Sequence, residues 1–423
     1  MIKKILTYSF GEVLVKGVSF LAVPLYSYMI LPGEYGTLGF LNSLVSFLPF
    51  VFTFYYLYGY VRFAVEVKED ILITNYLFIG LLLNLFYVMS AVVLYRVWIR
   101  DYQIDFEYFL LSISASSSVF VFQILQMHYR SKGDARSYVK LSMAYAILGL
   151  ILNFLLLILF KDNVFAMLLS ALITALIVST IALLILKNFF SWELIDFGLM
   201  KRILQYTMPL VPGAIALLLF SQSDKLVLIN YVDRQTLGIY TVAFTMGLSM
   251  GYIGSAIFMG YQPIFYEKVS NGFTQEIEKQ FNKNIFLLMG ALFLSWVAIV
   301  VIYQFIDEKY KEGITFALAI SLAYCMMTFS QIMELHLTYI KKNSIVSFVY
   351  GAGGVLTVGM LLLLVPKYGG VGAASALVIS SCFISVMMYF FAQKYFYLHY
   401  DKRGLVFFYG VIFLMLGLLY VCL

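Results

Sequence analysis

The chain has 423 residues, of which 63% are hydrophobic and 12% are charged, and its net charge is +6. This composition excludes an ordinary soluble protein and predicts an all-α integral membrane protein. No nucleic-acid-binding motif accompanies the positive charge, so we expect no nucleic-acid partner. The polar segments between the apolar runs are too short for a soluble catalytic domain, and we therefore do not expect an enzyme.

Apolar runs of about 20 residues recur along the whole chain, and this is the length that a helix needs to cross a bilayer. We therefore predict about 12 or 13 transmembrane helices. The predicted spans are residues 7–31, 37–60, 73–95, 107–127, 138–160, 164–186, 206–230, 237–261, 284–305, 313–340, 344–365, 371–393 and 405–422. The last run is short and would be an extra C-terminal helix.

Lysine and arginine are distributed unevenly between the two sets of loops. If the N-terminus is cytoplasmic, most of them, such as Lys3, Lys4 and Arg136, lie on the cytoplasmic side. Few, such as Lys161 and Lys367, then lie outside. Because positively charged loops tend to stay in the cytoplasm, this bias predicts a multi-pass protein with a cytoplasmic N-terminus.

The second half of the chain resembles the first with an offset of about 200 residues, a pattern typical of transporters. The segment 34–40 opens the second span after a short turn, and the segment 236–240 opens the eighth in the same way. Six spans per half is an even number, so an axis along the membrane normal would relate two parallel repeats. We predict an N-terminal six-helix lobe at residues 1–190, a C-terminal six-helix lobe at 191–395 and an additional C-terminal membrane helix at 396–423.

Asp224 and Lys225 lie in the middle of the seventh span, among apolar residues. Ionisable residues at this depth cost several kcal/mol unless they line a polar cavity or find partners, so they indicate a functional site. Gln222, between two serines, precedes them, and the polar run covers every face of a helix, so part of it should face water. Pro209 and Pro212 should break the helix, as bending in a gating motion requires.

Glu12 and Lys16 lie one turn apart on the first span. Such a pair can neutralise itself, so it is either a structural pair near the inner interface or part of a substrate pathway. The repeat places the seventh span in the corresponding position of the other lobe, so the pair would face Asp224 and Lys225 across a cleft. On this hypothesis Lys16 and Lys225 attract an anionic headgroup.

Three further ionisable residues are candidates for the pathway. Arg62 follows the second span and can pair with Glu66, as a structural pair or at the inner mouth of a cavity. Glu334 and His336 lie in the tenth span, about 200° apart on a helix, so they cannot share one face. One of them would line the cavity while the other makes a packing contact, and a proton-relay role is an alternative for either.

The residues that usually hold cofactors are scattered. Cys325, Cys382 and Cys422 lie in apolar spans without zinc or disulfide spacing, and the three histidines form no cluster in the sequence. Neither a Walker loop nor a GxSxG elbow is present. We therefore expect no cofactor and no metal.

Several segments of the sequence carry a family resemblance. They are Pro209-Leu210-Val211-Pro212, Ser221-Gln222-Ser223-Asp224-Lys225, Leu237-Gly238-Ile239-Tyr240-Thr241-Val242-Ala243, Leu31-Pro32-Gly33-Glu34-Tyr35-Gly36 and Tyr368-Gly369-Gly370-Val371-Gly372-Ala373-Ala374. They resemble the PLxP, SxSDR, xGxYxxA, LspeeYG and YGixGAA patterns of Wzx-type flippases. This family of the MOP exporter superfamily exports the repeat units of O-antigen and capsular polysaccharides. The resemblance extends over residues 5–395.

The resemblance implies two six-helix bundles around a MATE-like V-shaped cavity, in the bacterial cytoplasmic (inner) membrane. It implies export of an undecaprenyl-diphosphate-linked oligosaccharide from the inner to the outer leaflet, with coupling to an H⁺ or Na⁺ gradient left open. The implied partners are this lipid-linked oligosaccharide, membrane lipids, a polysaccharide polymerase and a chain-length regulator. Asp224 matches the family aspartate, whereas Lys225 stands where arginine is more usual and lacks the planar fork that suits a diphosphate.

Three alternatives remain open. A cation-coupled multidrug exporter of the same superfamily would need free carboxylates in one lobe, and the pairing of Glu12 with Lys16 disfavours it. A lipid II flippase usually has more spans and more cationic residues in its lumen. An integral membrane polymerase or ligase usually needs a large outer loop, and the longest one here, residues 96–106, is small.

Overall fold

A computed structural model of the protein describes Gly17, residues 20–271 and 274–398, and parts of 406–417. Every regular element within these residues is helical. The helices are α1 (Phe20–Met29), α2 (Pro32–Phe52), α3 (Glu69–Val97), α4 (Phe106–Ser118), α5 (Phe120–Ser131), α6 (Ala135–Leu159), α7 (Asn163–Leu186), α8 (Phe197–Thr207), α9 (Val211–Leu228), α10 (Arg234–Gly247), α11 (Ser249–Ser270), α12 (Thr274–Tyr303), α13 (Ile314–Tyr339) and α14 (Asn343–Tyr395). A four-residue helix, Tyr60–Phe63, and short 3₁₀ turns lie between them.

The described part of the chain contains ten helical segments that are long and apolar enough to cross a membrane. They coincide with the second to the twelfth predicted spans. The longest, α14, has 53 residues and contains both the eleventh and the twelfth. Gly369 in its middle has a φ of 53°, a left-handed conformation that favours glycine, and it divides α14 into two spanning parts. The prediction of an all-α membrane protein is therefore confirmed.

Residues 37–218 form one compact unit, here called the N-unit. Its core is made by apolar and tyrosine side chains from α3, α5, α7, α8 and the short helix Tyr60–Phe63. Tyr76 and Ile124 in this core are completely buried. Within a bilayer, the close packing of such large side chains contributes to helix association through van der Waals contacts.

Four helices begin at an aspartate that caps the N-terminus. The carboxylates of Asp134, Asp162, Asp196 and Asp233 accept hydrogen bonds from backbone N–H groups in the first turns of α6, α7, α8 and α10. These N–H groups have no partner within the helix, so each cap contributes about 1 kcal/mol. The short polar turns of the sequence thereby mark where the spans begin.

The described residues up to Gly36 and those from Leu219 onward form a second unit, the C-unit. Val23 of α1 packs in one apolar cluster with Val242 and Met246 of α10. The hydroxyl of Tyr310 donates a hydrogen bond of 2.9 Å to the carbonyl of Ile30, which follows α1. The first helix therefore packs with the second half of the chain.

The two compact units divide the chain differently from the predicted lobes at residues 1–190 and 191–395. The described part of the first span, α1, belongs to the C-unit because its apolar side chains are buried there. The boundary between the units falls after Leu218, within α9, and not at residue 190. A continuous helix thus carries the chain from one unit into the other, and sequence composition does not mark that boundary.

The order of the helices repeats along the chain. The start of α2 at Pro32 and the start of α10 at Arg234 are 202 residues apart. The starts of α6 at Ala135 and α14 at Asn343 are 208 residues apart. The starts of α3 and α12 are 205 residues apart and those of α4 and α13 are 208 apart, whereas α5 and α11 have no counterpart at this spacing in the described part of the chain.

The last predicted span is helical where the structure describes it, and it packs on the C-unit. The ring of Phe408 stacks on Phe329 of α13, with the ring centres 4.9 Å apart. The hydroxyls of Tyr409 and Ser385 lie 3.2 Å apart, within hydrogen-bonding distance. These contacts attach the additional C-terminal helix to α13 and α14.

Candidate functional site

Asp224 and Lys225 form a buried ion pair in α9. Lys225 Nζ lies 3.3 Å from Oδ1 of Asp224, and the exposed fractions of the two residues are 5% and 0%. The Tyr240 hydroxyl of α10 donates a 2.8 Å hydrogen bond to the other carboxylate oxygen, Oδ2. The backbone N–H of Lys225 also donates to Oδ1, at 2.8 Å. Both oxygens of the carboxylate therefore have partners within the C-unit.

An aromatic ring packs against the ammonium group of Lys225. Its Nζ atom lies 3.4 Å from the centre of the Phe244 ring, which is close enough for a strong cation–π interaction. Tyr324 of α13 packs edge-on against both Phe244 and Phe220. In a desolvated position such an interaction contributes about 2 kcal/mol, so the Phe244 ring offsets part of the cost of burying the cation.

The charged pair is almost completely buried among the described residues. The sequence predicted that part of the polar run faces water, and the partly exposed residues are Ser221 and Gln222, whereas Asp224 and Lys225 are buried. The cost of placing the two charges in an apolar helix is offset by their mutual attraction, by the hydrogen bond from the tyrosine hydroxyl and by the contact with the phenylalanine ring. We call this set of residues, Asp224, Lys225, Tyr240 and Phe244, the ion-pair cage.

The helix that carries the cage is interrupted before it reaches the charges. A 3₁₀ turn, Met208–Leu210, separates α8 from α9, and Pro209 lies within it. Proline lacks a backbone N–H and cannot continue an α-helix, so the predicted break is confirmed here. Pro212 lies in the first turn of α9, where the missing N–H has no partner to lose.

Glu334 and His336 point to different neighbours, as their spacing on the helix required. The carboxylate of Glu334 accepts a 2.8 Å hydrogen bond from Tyr350 of α14. The ring of His336 is completely buried and lies 4.9 Å from the ring of Phe265 in α11. His336 thus makes a packing contact, while Glu334 is a partly buried carboxylate with a tyrosine partner.

Arg62 lies in the N-unit, whereas the ion-pair cage lies in the C-unit. Its guanidinium forms an i,i+4 ion pair with Glu66 at 2.6 Å, and about half of each side chain is exposed. An exposed pair of this kind contributes little to stability. The structure therefore contains the pair that the sequence predicted. Glu12 and Lys16 lie outside the described residues.

The partners of the charged pair were not recognised as site residues from the sequence. Tyr240 belongs to the Gly-Ile-Tyr segment of the family pattern, but its role as the hydrogen-bond donor to Asp224 needs the packing of α10 on α9. Phe244 is one helical turn further along α10 and resembles any other apolar residue of a span. Within the described residues, no group of three His, Cys, Asp or Glu side chains could hold a metal ion.

Solved structures of membrane transporters have a similar fold. The lipid II flippase MurJ in an inward closed conformation matches with a TM-score of 0.70 and 13% identity, over 98% of this chain and 91% of that one. A multidrug resistance MATE family transporter of the MOP superfamily matches in its inward-facing conformation with a TM-score of 0.63 and 14% identity, over 93% and 92%. An outward-facing MATE structure matches with 0.61 and 12%, over 93% and 95%. At these identities the likeness concerns the fold.

The sequence itself matches a family model. No curated protein sequence matches the chain. The model described as "Polysaccharide biosynthesis protein" matches residues 1–267, which include the ion-pair cage and the family segments around it. With this match over more than half of its length, the chain belongs to the polysaccharide biosynthesis protein family.

Proposed function

We propose that the protein moves an undecaprenyl-diphosphate-linked oligosaccharide from the inner to the outer leaflet of the cytoplasmic membrane by alternating access. The observation that carries this proposal is the family match over residues 1–267. The fold shared with membrane transporters and the polysaccharide biosynthesis family together support a substrate that is both lipid-linked and glycan-bearing. In this proposal the protein is a transporter with a cytoplasmic N-terminus, and the chemistry of glycan assembly belongs to its partners, including a polymerase and a chain-length regulator.

The physical problem in this task is the headgroup. A diphosphate and a glycan cannot cross the hydrocarbon core unaided, because their polar groups would lose water without replacement. A cation that meets the diphosphate offsets part of this cost. Lys225 is the cation within a predicted span among those proposed pathway residues that the structure describes. Glu12 with Lys16 would add a second charged pair.

Lys225 is engaged with Asp224 and Phe244 in this structure, so its contact with a diphosphate requires release from the ion-pair cage. A diphosphate near the cage competes with Asp224 for the ammonium, and Tyr240 remains as the donor that stabilises the carboxylate. We therefore propose that the cage holds Lys225 between transport events. The cage then links substrate binding to the packing of α9 on α10.

The test separates a structural pair from a binding pair by neutralising one charge or both. Lys225→Met leaves a buried carboxylate without its cation, and Asp224→Asn leaves a buried ammonium without its anion. Each single change should lower the free energy of unfolding by about 3–5 kcal/mol and stop export. The double variant removes both charges and should recover most of the stability without recovering export. The assay is flipping of the lipid-linked oligosaccharide in proteoliposomes, with thermal unfolding measured on the same samples.

The exposed pair Arg62–Glu66 provides the control for stability. Neutralising it in the same two steps should change the free energy of unfolding by only about 0.2–1 kcal/mol, because both side chains are solvated. If the double variant of Asp224 and Lys225 flips the oligosaccharide at the wild-type rate, the pair is structural and the assignment of Lys225 is wrong. If wild-type protein moves lipid II or a cationic dye but not the oligosaccharide, the proposed substrate is wrong.

A further inference from the structure

The N-unit contains a chain of ionisable and polar side chains that no sequence pattern indicated. Glu69 at the start of α3 accepts a 2.7 Å hydrogen bond from Lys132, just after α5. The same oxygen, Oε1, lies 3.3 Å from Nε2 of His128. On the other side of the imidazole, Nδ1 lies 3.3 Å from the hydroxyl of Tyr60. The chain leads from a partly exposed carboxylate to a completely buried tyrosine.

Two buried hydroxyls that have no hydrogen-bond partner within the described residues lie near Gly59, the residue before Tyr60. The ring centre of Tyr76 lies 4.8 Å from that of Tyr60, and the Tyr76 hydroxyl is buried without a hydrogen-bond partner among the described residues. Thr207, the last residue of α8, likewise has a buried and unpaired hydroxyl. Both side chains lie against Gly59, where an added Cβ would approach the Tyr76 oxygen to 2.9 Å and the Thr207 methyl to 3.2 Å. Buried hydroxyls without partners are rare and require a physical reason.

We propose that His128 is a proton-binding site of the N-unit, and that the proton taken up there is a coupling ion for transport. The second half of this proposal rests on the proposed function, whereas the first half does not. Histidine is the side chain whose charge normally changes near neutral pH. In the proposed orientation His128 lies at the cytoplasmic end of α5, where Glu69 connects it to solvent.

The hydrogen bonds of the His128 imidazole determine where an incoming proton binds. A carboxylate only accepts, so in the neutral imidazole Nε2–H donates to Glu69 and the lone pair of Nδ1 accepts from the Tyr60 hydroxyl. An incoming proton binds at Nδ1, which then becomes a donor to the Tyr60 oxygen. The hydroxyl hydrogen of Tyr60 must therefore turn to another acceptor. The unpaired hydroxyl of Tyr76, whose ring packs against that of Tyr60, is the candidate acceptor.

The charges around His128 act in opposite directions. Burial of the ring disfavours the imidazolium, and so does the ammonium of Lys132 just after α5, whereas the carboxylate of Glu69 stabilises it. The remaining titratable groups that face the ring are the hydroxyl of Tyr60 and the ring of Tyr129, 5.7 Å away. Because Lys132 competes for the same carboxylate oxygen, protonation of His128 also weakens the contact between Lys132 and Glu69. Protonation thus changes hydrogen bonds both at the surface and in the core.

The first experiment measures proton binding without any substrate. Protein with isotope-labelled histidine is placed in nanodiscs and titrated between about pH 5 and 8 while NMR spectra are recorded. The signals of His128 are those that are absent from the spectrum of His128→Gln. We expect the His128 ring shifts to change with pH, and Glu69→Gln to move this change to lower pH. His336 is the matched control, because its buried ring packs against Phe265, and its shifts should stay constant. Constant shifts of His128, or an identical titration in Glu69→Gln, would overturn the proposal.

The second experiment measures coupling in proteoliposomes. A pH gradient imposed across the vesicles should change the wild-type flipping rate, and His128→Gln should lose this response while His336→Gln keeps it. Glu69 is 36% exposed, so Glu69→Gln provides a second variant that should weaken the response even if His128→Gln folds poorly. A full response in Glu69→Gln and His128→Gln contradicts the coupling role. Absence of flipping in wild-type protein contradicts the proposed function but leaves the NMR result intact.

Discussion

At the scale of single residues, the buried charges of this protein are stabilised by particular side chains and not by solvent. Asp224 is completely buried, and each of its oxygens accepts a hydrogen bond. Lys225 lies between this carboxylate and the face of Phe244. A buried charge without such partners would cost several kcal/mol, so the cage explains how the ion pair is tolerated in an apolar helix.

The hydrogen bond from Tyr240 to Asp224 provides a residue-scale prediction. Tyr240→Phe keeps the packing of the ring and removes the donor to Oδ2. Because the acceptor is a buried charged group, we expect the free energy of unfolding to fall by about 1.5–3 kcal/mol. Thermal or denaturant unfolding of the purified protein in detergent measures the loss.

Tyr303→Phe is the matched control for this prediction. The hydroxyl of Tyr303 is also buried in the C-unit, but it has no hydrogen-bond partner among the described residues. Its removal should leave stability unchanged or raise it slightly, since an unpaired buried hydroxyl is unfavourable. Equal effects of the two substitutions would show that Tyr240 acts through packing alone.

At the scale of helices, two glycines permit a close backbone approach between α2 and α10. An added Cβ on Gly36 would lie 2.2 Å from the carbonyl oxygen of Arg234. An added Cβ on Gly238 would lie 1.7 Å from the carbonyl oxygen of Pro32. The two family segments that the repeat relates, Gly-Glu-Tyr-Gly and Leu-Gly-Ile-Tyr, therefore meet in space within the C-unit.

This contact provides a prediction at the helix scale. Gly238→Ala inserts a methyl group into a backbone contact that has no flexible side chain to move aside. We expect a loss of about 1–3 kcal/mol in the free energy of unfolding. Gly260 of α11 is the control, because an added Cβ there meets nothing within 4 Å. Gly260→Ala should be neutral or stabilising by about 0.5–1 kcal/mol, and a similar loss in both variants would contradict the close contact.

At the scale of the whole molecule, the distribution of lysine and arginine predicts the orientation in the membrane. Arg136 and Lys161 are both exposed and lie at opposite ends of α6. A helix of 25 residues is about 37 Å long, enough to separate the two ends by a bilayer. Because positively charged loops stay inside, Arg136 should be cytoplasmic and Lys161 external.

Cysteine labelling measures this orientation in intact cells. In a cysteine-free background, Lys161→Cys should react with a membrane-impermeant maleimide. Arg136→Cys should react only after permeabilisation. The reverse pattern would invert the proposed topology, and it would also place the Glu69–His128 chain on the outer side.

The sequence by itself determined the membrane class, the ten described spanning segments and the helix break at Pro209. These features depend on local properties: the length of apolar runs, the backbone chemistry of proline and the cost of charge in lipid. The ionisable pair in the seventh span was likewise recognisable, since such residues are rare at that depth.

Only the tertiary structure decided how those charges are stabilised and which helices pack together. The Tyr240 hydroxyl and the Phe244 ring reach Asp224 and Lys225 because α10 packs on α9, and no spacing in the sequence specifies that contact. The placement of α1 in the C-unit and the chain from Glu69 to Tyr60 depend in the same way on residues far apart in the sequence. Apolar periodicity specifies that a helix spans the membrane, but the partners of each face follow from side-chain packing between helices.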